Sequence, residues 1–296
     1  MGPWYLDINK IIVFGNWPYD QSILVRIPRN PQVATNKTST PLGSIGIWVS
    51  GVAGFNMLDA FSYQNAAAQD VAQTGDLIWN RNALLAEGLT FDPAGAHQPN
   101  NGQYHYHVTP QGLRFQLNDN LSYDSNTAAY IESTNNFTHS PLLGWAYDGY
   151  PIYGPYGYSD PFDPTSSIRR LAPGYQLRDG SNGTLDLSAA GRTSIPTWAA
   201  EAQGRTNVLN ANKQGPNVSA NFPLGWYVED HDYLGDLGFT QGSDFDLDRF
   251  NGRTCITPDF PGGTYAYFTT VNANGSPEYP YILRSGVLWG TNRRFG

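Results

Sequence analysis

The stretch FDPAGAHQPNNGQYHYHVTP, Phe91 to Pro110, holds three of the five histidines of the chain, and in it His105 and His107 alternate with Tyr104 and Tyr106. Alternation of this kind predicts a β-strand, because successive side chains on a strand point to opposite faces. The two imidazoles then share one face about 6 to 7 Å apart, while the tyrosines take the other. Two imidazoles so placed can bite one cation. Asn101-Gly102 is a turn signal, and a three-residue loop from Asn100 to Gly102, with Gly102 at positive φ, would pair His97 with His105 across a hairpin. A two-residue loop would instead pair His97 with Tyr106 and leave it on the wrong face. Pro99 limits the ladder in either case. A plainer role also fits the pattern, since aromatic residues favour strands and a His-x-His pair can form the polar face of a half-buried hairpin.

The surrounding chain supports a β reading. Glycine, proline, tyrosine and asparagine are abundant, helix formers are sparse, and turn pairs recur at short intervals. Strands are predicted at Ile11 to Phe14, Ser22 to Ile27, Ile45 to Val49, Gln103 to Val108, Gly144 to Tyr147, Ile152 to Tyr153 and Thr264 to Thr270. Helices are predicted at Asn65 to Ala72 and Pro196 to Gln203, the second opening on Thr/Ser residues and proline. The expected fold class is mainly β: a compact β-sandwich or barrel-like core with long ordered loops and a few short helices. We expect a single domain over 1–296, with 159–220, rich in Ser, Asn, Asp and Gly, as an inserted loop-rich lobe. The segment Gly262 to Thr270 repeats the pattern of Asn101 to Thr109, a glycine turn followed by alternating aromatics, with Ala266 and Phe268 in the places of His105 and His107. The two are expected as neighbouring or equivalent strands of one core.

Composition excludes several classes. A net charge of −8 without a basic run argues against nucleic acid as a partner. No segment reaches the roughly 18 to 20 consecutive apolar residues of a membrane span. The N-terminal residues lack the basic and apolar regions of a signal peptide. A single cysteine, Cys255, excludes an internal disulfide and reads as a small buried hydrophobe. Six Asn-x-Ser/Thr sequons, at Asn36, Asn120, Asn136, Asn182, Asn217 and Asn274, lean towards an extracellular glycoprotein. There is no Gly-x-Ser-x-Gly elbow, no phosphate-binding glycine loop ahead of a helix and no Cys-x-x-Cys pair.

Tyr104-His105-Tyr106-His107, preceded by His97 and Gly102 and followed by Pro110, is similar to the signature of the YHYH-domain family. The run HSPLLGWAYDGYPIYGPYGY, from His139 to Tyr158, resembles the family's second block. DLDRFNGR, from Asp246 to Arg253, and TPDFPGGTYAYF, from Thr257 to Phe268, resemble its closing block. Together these cover most of the chain from Gly46 to Phe268. The resemblance implies an extracytoplasmic protein, extracellular or periplasmic, whose histidines are metal ligands.

The remaining candidates surround that motif. His139 can supply a further imidazole, or be a loop histidine bonded to backbone. Asp148, in Asp148-Gly149, suits a tight turn, and as a candidate catalytic carboxylate it can hold an imidazole N–H or accept a proton. His231 stands among Glu229, Asp230 and Asp232, which favours a charged surface side chain over a ligand. Asp244, Asp246 and Asp248 alternate as oxygen donors suited to calcium, although they lack the spacing of an EF-hand loop. Imidazole donors suit copper first and zinc second. Three functions follow as expectations: a secreted copper- or zinc-dependent metalloenzyme; an extracellular module that stacks a glycan, small molecule or partner on the aromatics from Trp145 to Tyr158; and a structural protein assembling through strand edges.

Overall fold

A computed structural model describes residues 17–33, 40, 42–72, 75–99 and 101–283. Eight strands form one mixed sheet: β1 (Ser44–Trp48), β2 (Ala53–Phe55), β3 (Ala96–His97), β4 (His105–Tyr106), β5 (Leu142–Ala146), β6 (Pro151–Tyr153), β7 (Gly252–Cys255) and β8 (Thr264–Phe268). Their order is β7-β8-β6-β5-β1-β2-β4-β3. The sheet is open, so the mainly β class holds while the barrel-like option does not form. Four smaller sheets, six 3-10 turns and four short α-helices, α1 (Ala83–Glu87), α2 (Gln111–Gln116), α3 (Leu187–Ala190) and α4 (Thr197–Gln203), complete the described elements. Among the described residues no helix is long and apolar enough to cross a membrane.

Local chemistry explains the central hairpins. The chain reverses between β1 and β2 at Gly51, which sits at φ +83° and donates its N–H to the carbonyl of Trp48. Gly144 lets β5 approach β1 closely: a Cβ there would lie 2.5 Å from the carbonyl oxygen of Ile47. Asp148-Gly149 turns β5 into β6, with Gly149 at φ +97° and its N–H on Ala146. β4 runs parallel to β2 and antiparallel to β3, in the register His97↔His105 and Ala96↔Tyr106.

The hydrophobic core joins the sheet to the loops. Ile45, Trp48, Leu143, Ile152 and Tyr267 from the strands pack in one cluster with Met57, Trp79 and Tyr227. The segment 159–220 contributes Ile195, Trp198 and Leu209 to that same cluster. A smaller cluster gathers Tyr153, Leu171, Leu247, Cys255, Ala266 and Phe268.

Several expectations need correction. The strand expected at Ile11 to Phe14 lies outside the described residues. Ser22 to Ile27 forms no strand: no described strand pairs with it, and Ser22, Ile23 and Val25 instead line a cavity with Ile47, Ala53 and Tyr147. Asn65 to Ala72 is not a helix. It is one 3-10 turn, Asn65–Ala67, followed by Ala68 at φ +52° and a strand, Gln69–Ala72, paired with Leu58–Gln64. Alanine content favoured a helix there, but the segment has no apolar helical face, and pairing with a neighbouring strand prevails. The helix at Pro196 to Gln203 forms as α4, with Pro196 at its N-cap. The two glycine-aromatic repeats share the sheet without being neighbours, since β6, β5, β1 and β2 separate β8 from β4.

Candidate metal centre

The segment from β2 to β4 assembles the site. After Phe55 the chain leaves the sheet, and the N–H of Ala83 returns to the carbonyl of Met57 at 2.9 Å, which seats α1 beside the end of β2. Asn82 caps α1 by accepting the N–H of Leu84. Beyond α1, the turn from Asp92 to Gly95 delivers β3: the N–H of Gly95 bonds the Asp92 carbonyl, and that of Ala96 bonds the Asp92 carboxylate at 3.1 Å. His97 then faces His105 in the register of a three-residue loop, with Gly102 at φ +71° and its N–H on Pro99. The ladder stops at His97, two residues before Pro99, and the paired segment is two residues long.

His97, His105 and His107 converge, all buried. Nε2 of His105 lies 3.1 Å from Nε2 of His97 and 2.9 Å from Nε2 of His107. Hydrogen bonds at the other ring nitrogen set the tautomers. Nδ1 of His105 donates to the carbonyl of Gln103 at 2.8 Å, and Nδ1 of His107 to that of Asn56 at 2.6 Å, since a carbonyl can only accept. The Thr90 hydroxyl donates to the carbonyl of Glu87 at 2.6 Å and so accepts from Nδ1 of His97 at 2.7 Å. Every Nε2 therefore turns a lone pair towards the other two. Burial holds the three imidazoles neutral, lowering His97 to about 3, His105 to about 2 and His107 to about 4. Phe55 stacks on His105 at 3.8 Å and Phe91 meets His97 edge-on at 4.8 Å, so the walls are apolar.

Three converging lone pairs at buried positions repel one another unless a cation lies between them. Imidazole bonds of 2.0–2.1 Å at angles near tetrahedral or slightly tighter place nitrogens about 3.0 to 3.4 Å apart, close to the separations found. The donor set fits a transition ion. Glu87, which the sequence reading did not single out, adds a carboxylate: its Oε2 lies 3.3 Å from Nε2 of His107 and 3.6 Å from Nε2 of His97. Burial and the nearby Asp59 raise Glu87 to about 7. Its only signal in the sequence was a glutamate closing a short apolar run, which any surface helix also shows.

The tyrosines of the motif point away from the triad, as alternation requires. Tyr104 donates to Asp92 at 2.6 Å, and Tyr106 packs edge-on to Trp48. The other candidates lie elsewhere. His139 turns Nδ1 to the carbonyl of Ser140 and its ring to Tyr153, Tyr158 and Phe268, beside the smaller core cluster. Asp148 caps its turn, accepting the N–H of Tyr150 at 3.1 Å and the hydroxyl of Tyr267 at 2.6 Å, and burial raises it to about 6. It follows β5, three strand spacings from β4, or about 14 Å across the sheet.

The calcium expectation at Asp244, Asp246 and Asp248 is corrected, because protein donors occupy each carboxylate separately. Asp244 accepts the N–H of Thr240, Asp246 is clamped by Arg169 through two contacts of 2.6 Å, and Asp248 accepts the N–H groups of Phe250 and Gly252. His231 is likewise no charged surface group. It is buried, stacks on Tyr279 at 4.0 Å and is lowered to about 4 by burial, while Asn80, Arg192 and Arg178 engage the neighbouring carboxylates. The aromatics from Trp145 to Tyr158 form no open platform, since Tyr150, Tyr153 and Tyr156 are buried in the core. Two of the group's aromatics line separate cavities: Trp145 one of about 340 Å³ with Pro28, Pro31 and Phe260, and Tyr147 one of about 420 Å³ with Tyr19, Ile47 and Tyr104.

No curated protein and no solved structure matches the chain. A family model described as YHYH protein matches residues 24–281, a span that includes the whole histidine centre. The signature tetrapeptide, its flanking blocks and this match agree, and the chain belongs to the YHYH protein family.

Proposed function

We propose that this is a secreted metal-binding protein that holds one transition ion, copper or zinc, on Nε2 of His97, His105 and His107. The observation that carries the reading is the convergence of three Nε2 atoms whose Nδ1 partners have all been arranged to leave a lone pair inward. Imidazole donors suit both ions, and in such a site either supplies Lewis acidity, with copper adding one-electron chemistry. The chain's own part is to preorganise. Gln103, Asn56 and Thr90 orient the rings, and Phe55 and Phe91 keep water from the nitrogens. The Glu87 side chain, 22% exposed, lies between the imidazoles and solvent and marks the side from which a small molecule would approach. Secretion is supported by four exposed sequon asparagines, Asn136, Asn182, Asn217 and Asn274. Asn120 is closed to modification, its buried amide donating to the carbonyl of Thr138 at 2.7 Å.

The test is elemental mass spectrometry of untagged protein purified without chelator, beside a His105→Ala/His107→Ala variant. About one copper or zinc ion per wild-type chain, lost in the variant, is the expected result. A wild type that holds neither ion after reconstitution with each would overturn the reading.

A further inference from the structure

Oε2 of Glu87 is buried and makes no hydrogen bond. It faces Nε2 of His107 and of His97, and neither nitrogen carries a proton, because each ring donates through Nδ1. A carboxylate oxygen buried against lone pairs, with no donor, has no favourable electrostatics of its own. The Arg81 guanidinium nearby is already bound to Asp59. A proton on Oε2 can satisfy one lone pair, that of His107 at 3.3 Å, whereas a metal ion between oxygen and nitrogens engages all four donors at once. The separations 2.9, 3.1, 3.3 and 3.6 Å close a ring through the three Nε2 atoms and Oε2, and they lie near the spacing of about 2.9 to 3.4 Å expected of adjacent donors on one ion with bonds of 2.0–2.1 Å.

We propose, resting on the metal reading above, that Glu87 is the anionic donor of this centre and makes it select a divalent ion over the cuprous ion. Three neutral imidazoles alone serve Cu⁺ as well as Zn²⁺ or Cu²⁺. A hard, charged oxygen adds most to the ion of higher charge and little to a soft monovalent one. The position of the donor is built into the fold, because α1 is tied to Met57 at the end of β2, next to the carbonyl of Asn56 that orients His107.

The test is a competition titration of metal-stripped wild type, Glu87→Gln and His105→Ala with Zn²⁺, and with Cu⁺ under anaerobic reduction, against chromophoric chelators. Glu87→Gln is expected to lose about 10- to 100-fold in Zn²⁺ affinity and to keep its Cu⁺ affinity, while His105→Ala loses both. Unchanged Zn²⁺ affinity in Glu87→Gln, with loss in His105→Ala, overturns the role of Glu87 and leaves the triad standing. Equal loss of both ions in Glu87→Gln overturns the selectivity. A wild type that binds neither ion defeats the metal reading itself. Should Glu87→Gln fail to fold, Glu87→Asp withdraws the oxygen by one methylene while keeping its charge. The same selective loss of Zn²⁺ is expected there, and full retention overturns the proposal.

Discussion

At the scale of single residues, the centre depends on groups that never touch an ion. Thr90 is the clearest case. Its hydroxyl accepts from Nδ1 of His97 because its own proton goes to the carbonyl of Glu87, and this relay leaves Nε2 of His97 as an acceptor. Thr90→Val preserves shape and removes the acceptor, so the ring loses the bond that selects its tautomer. We expect metal affinity to fall about 10- to 100-fold while the metal-free melting temperature changes little, as a titration paired with calorimetry would show. An unchanged affinity would mean that packing by Phe91 alone orients the ring. Nothing local marked Thr90 in the sequence, for its role exists only once β3 has folded back beside α1.

At the scale of elements, the hairpin between β3 and β4 decides whether there is a site at all. A one-residue change of register would send His97 to the tyrosine face. Gly102 secures the turn in two ways: it sits at φ +71°, and a Cβ there would lie 2.2 Å from the Tyr19 ring and 2.8 Å from the carbonyl oxygen of Trp17. Gly102→Ala should therefore cost about 1 to 2 kcal/mol from backbone conformation alone, with the displaced segment adding to it. Denaturant unfolding measures that loss, and a parallel metal titration should show weaker binding because His97 moves with the turn. Wild-type stability in this variant would show that the hairpin tolerates another turn. The sequence announced this hairpin well, since Asn-Gly and strict alternation are properties of adjacent residues. It announced α1 poorly, because five residues carry too little periodicity to reveal a buried face.

At the scale of the whole molecule, the fold buries carboxylates at a cost that depends on pH. Glu229 accepts the backbone N–H and side-chain amide of Asn80, both at 2.7 Å, yet burial raises it from 4.5 to about 8. Between those values the folded chain holds a proton that the unfolded chain releases. Its contribution to stability is thus complete below about pH 4.5 and is lost as pH rises through 8. Glu229→Gln should flatten the fall in urea midpoint between pH 5 and pH 8, and an unaltered slope would place the dependence on other groups. Glu229 lies in a run of acidic residues that suggested solvent exposure, whereas packing against Asn80 and Gln203 put it inside. The same contrast runs through the centre. By itself the sequence determined the mainly β class, the alternation that separates His105 and His107 from Tyr104 and Tyr106, and the presence of a turn at Asn101-Gly102. All of these follow from the geometry of consecutive residues, while the choice between pairing His97 with His105 or with Tyr106 was made by the structure. Only the tertiary structure decided that His139 and Asp148 stand apart, that Asp244, Asp246 and Asp248 are consumed by protein donors, and that Glu87 joins the triad. Those outcomes depend on which strands and loops become neighbours, as when the carbonyl of Asn56 meets His107 across 51 residues of chain, and no local pattern encodes that proximity.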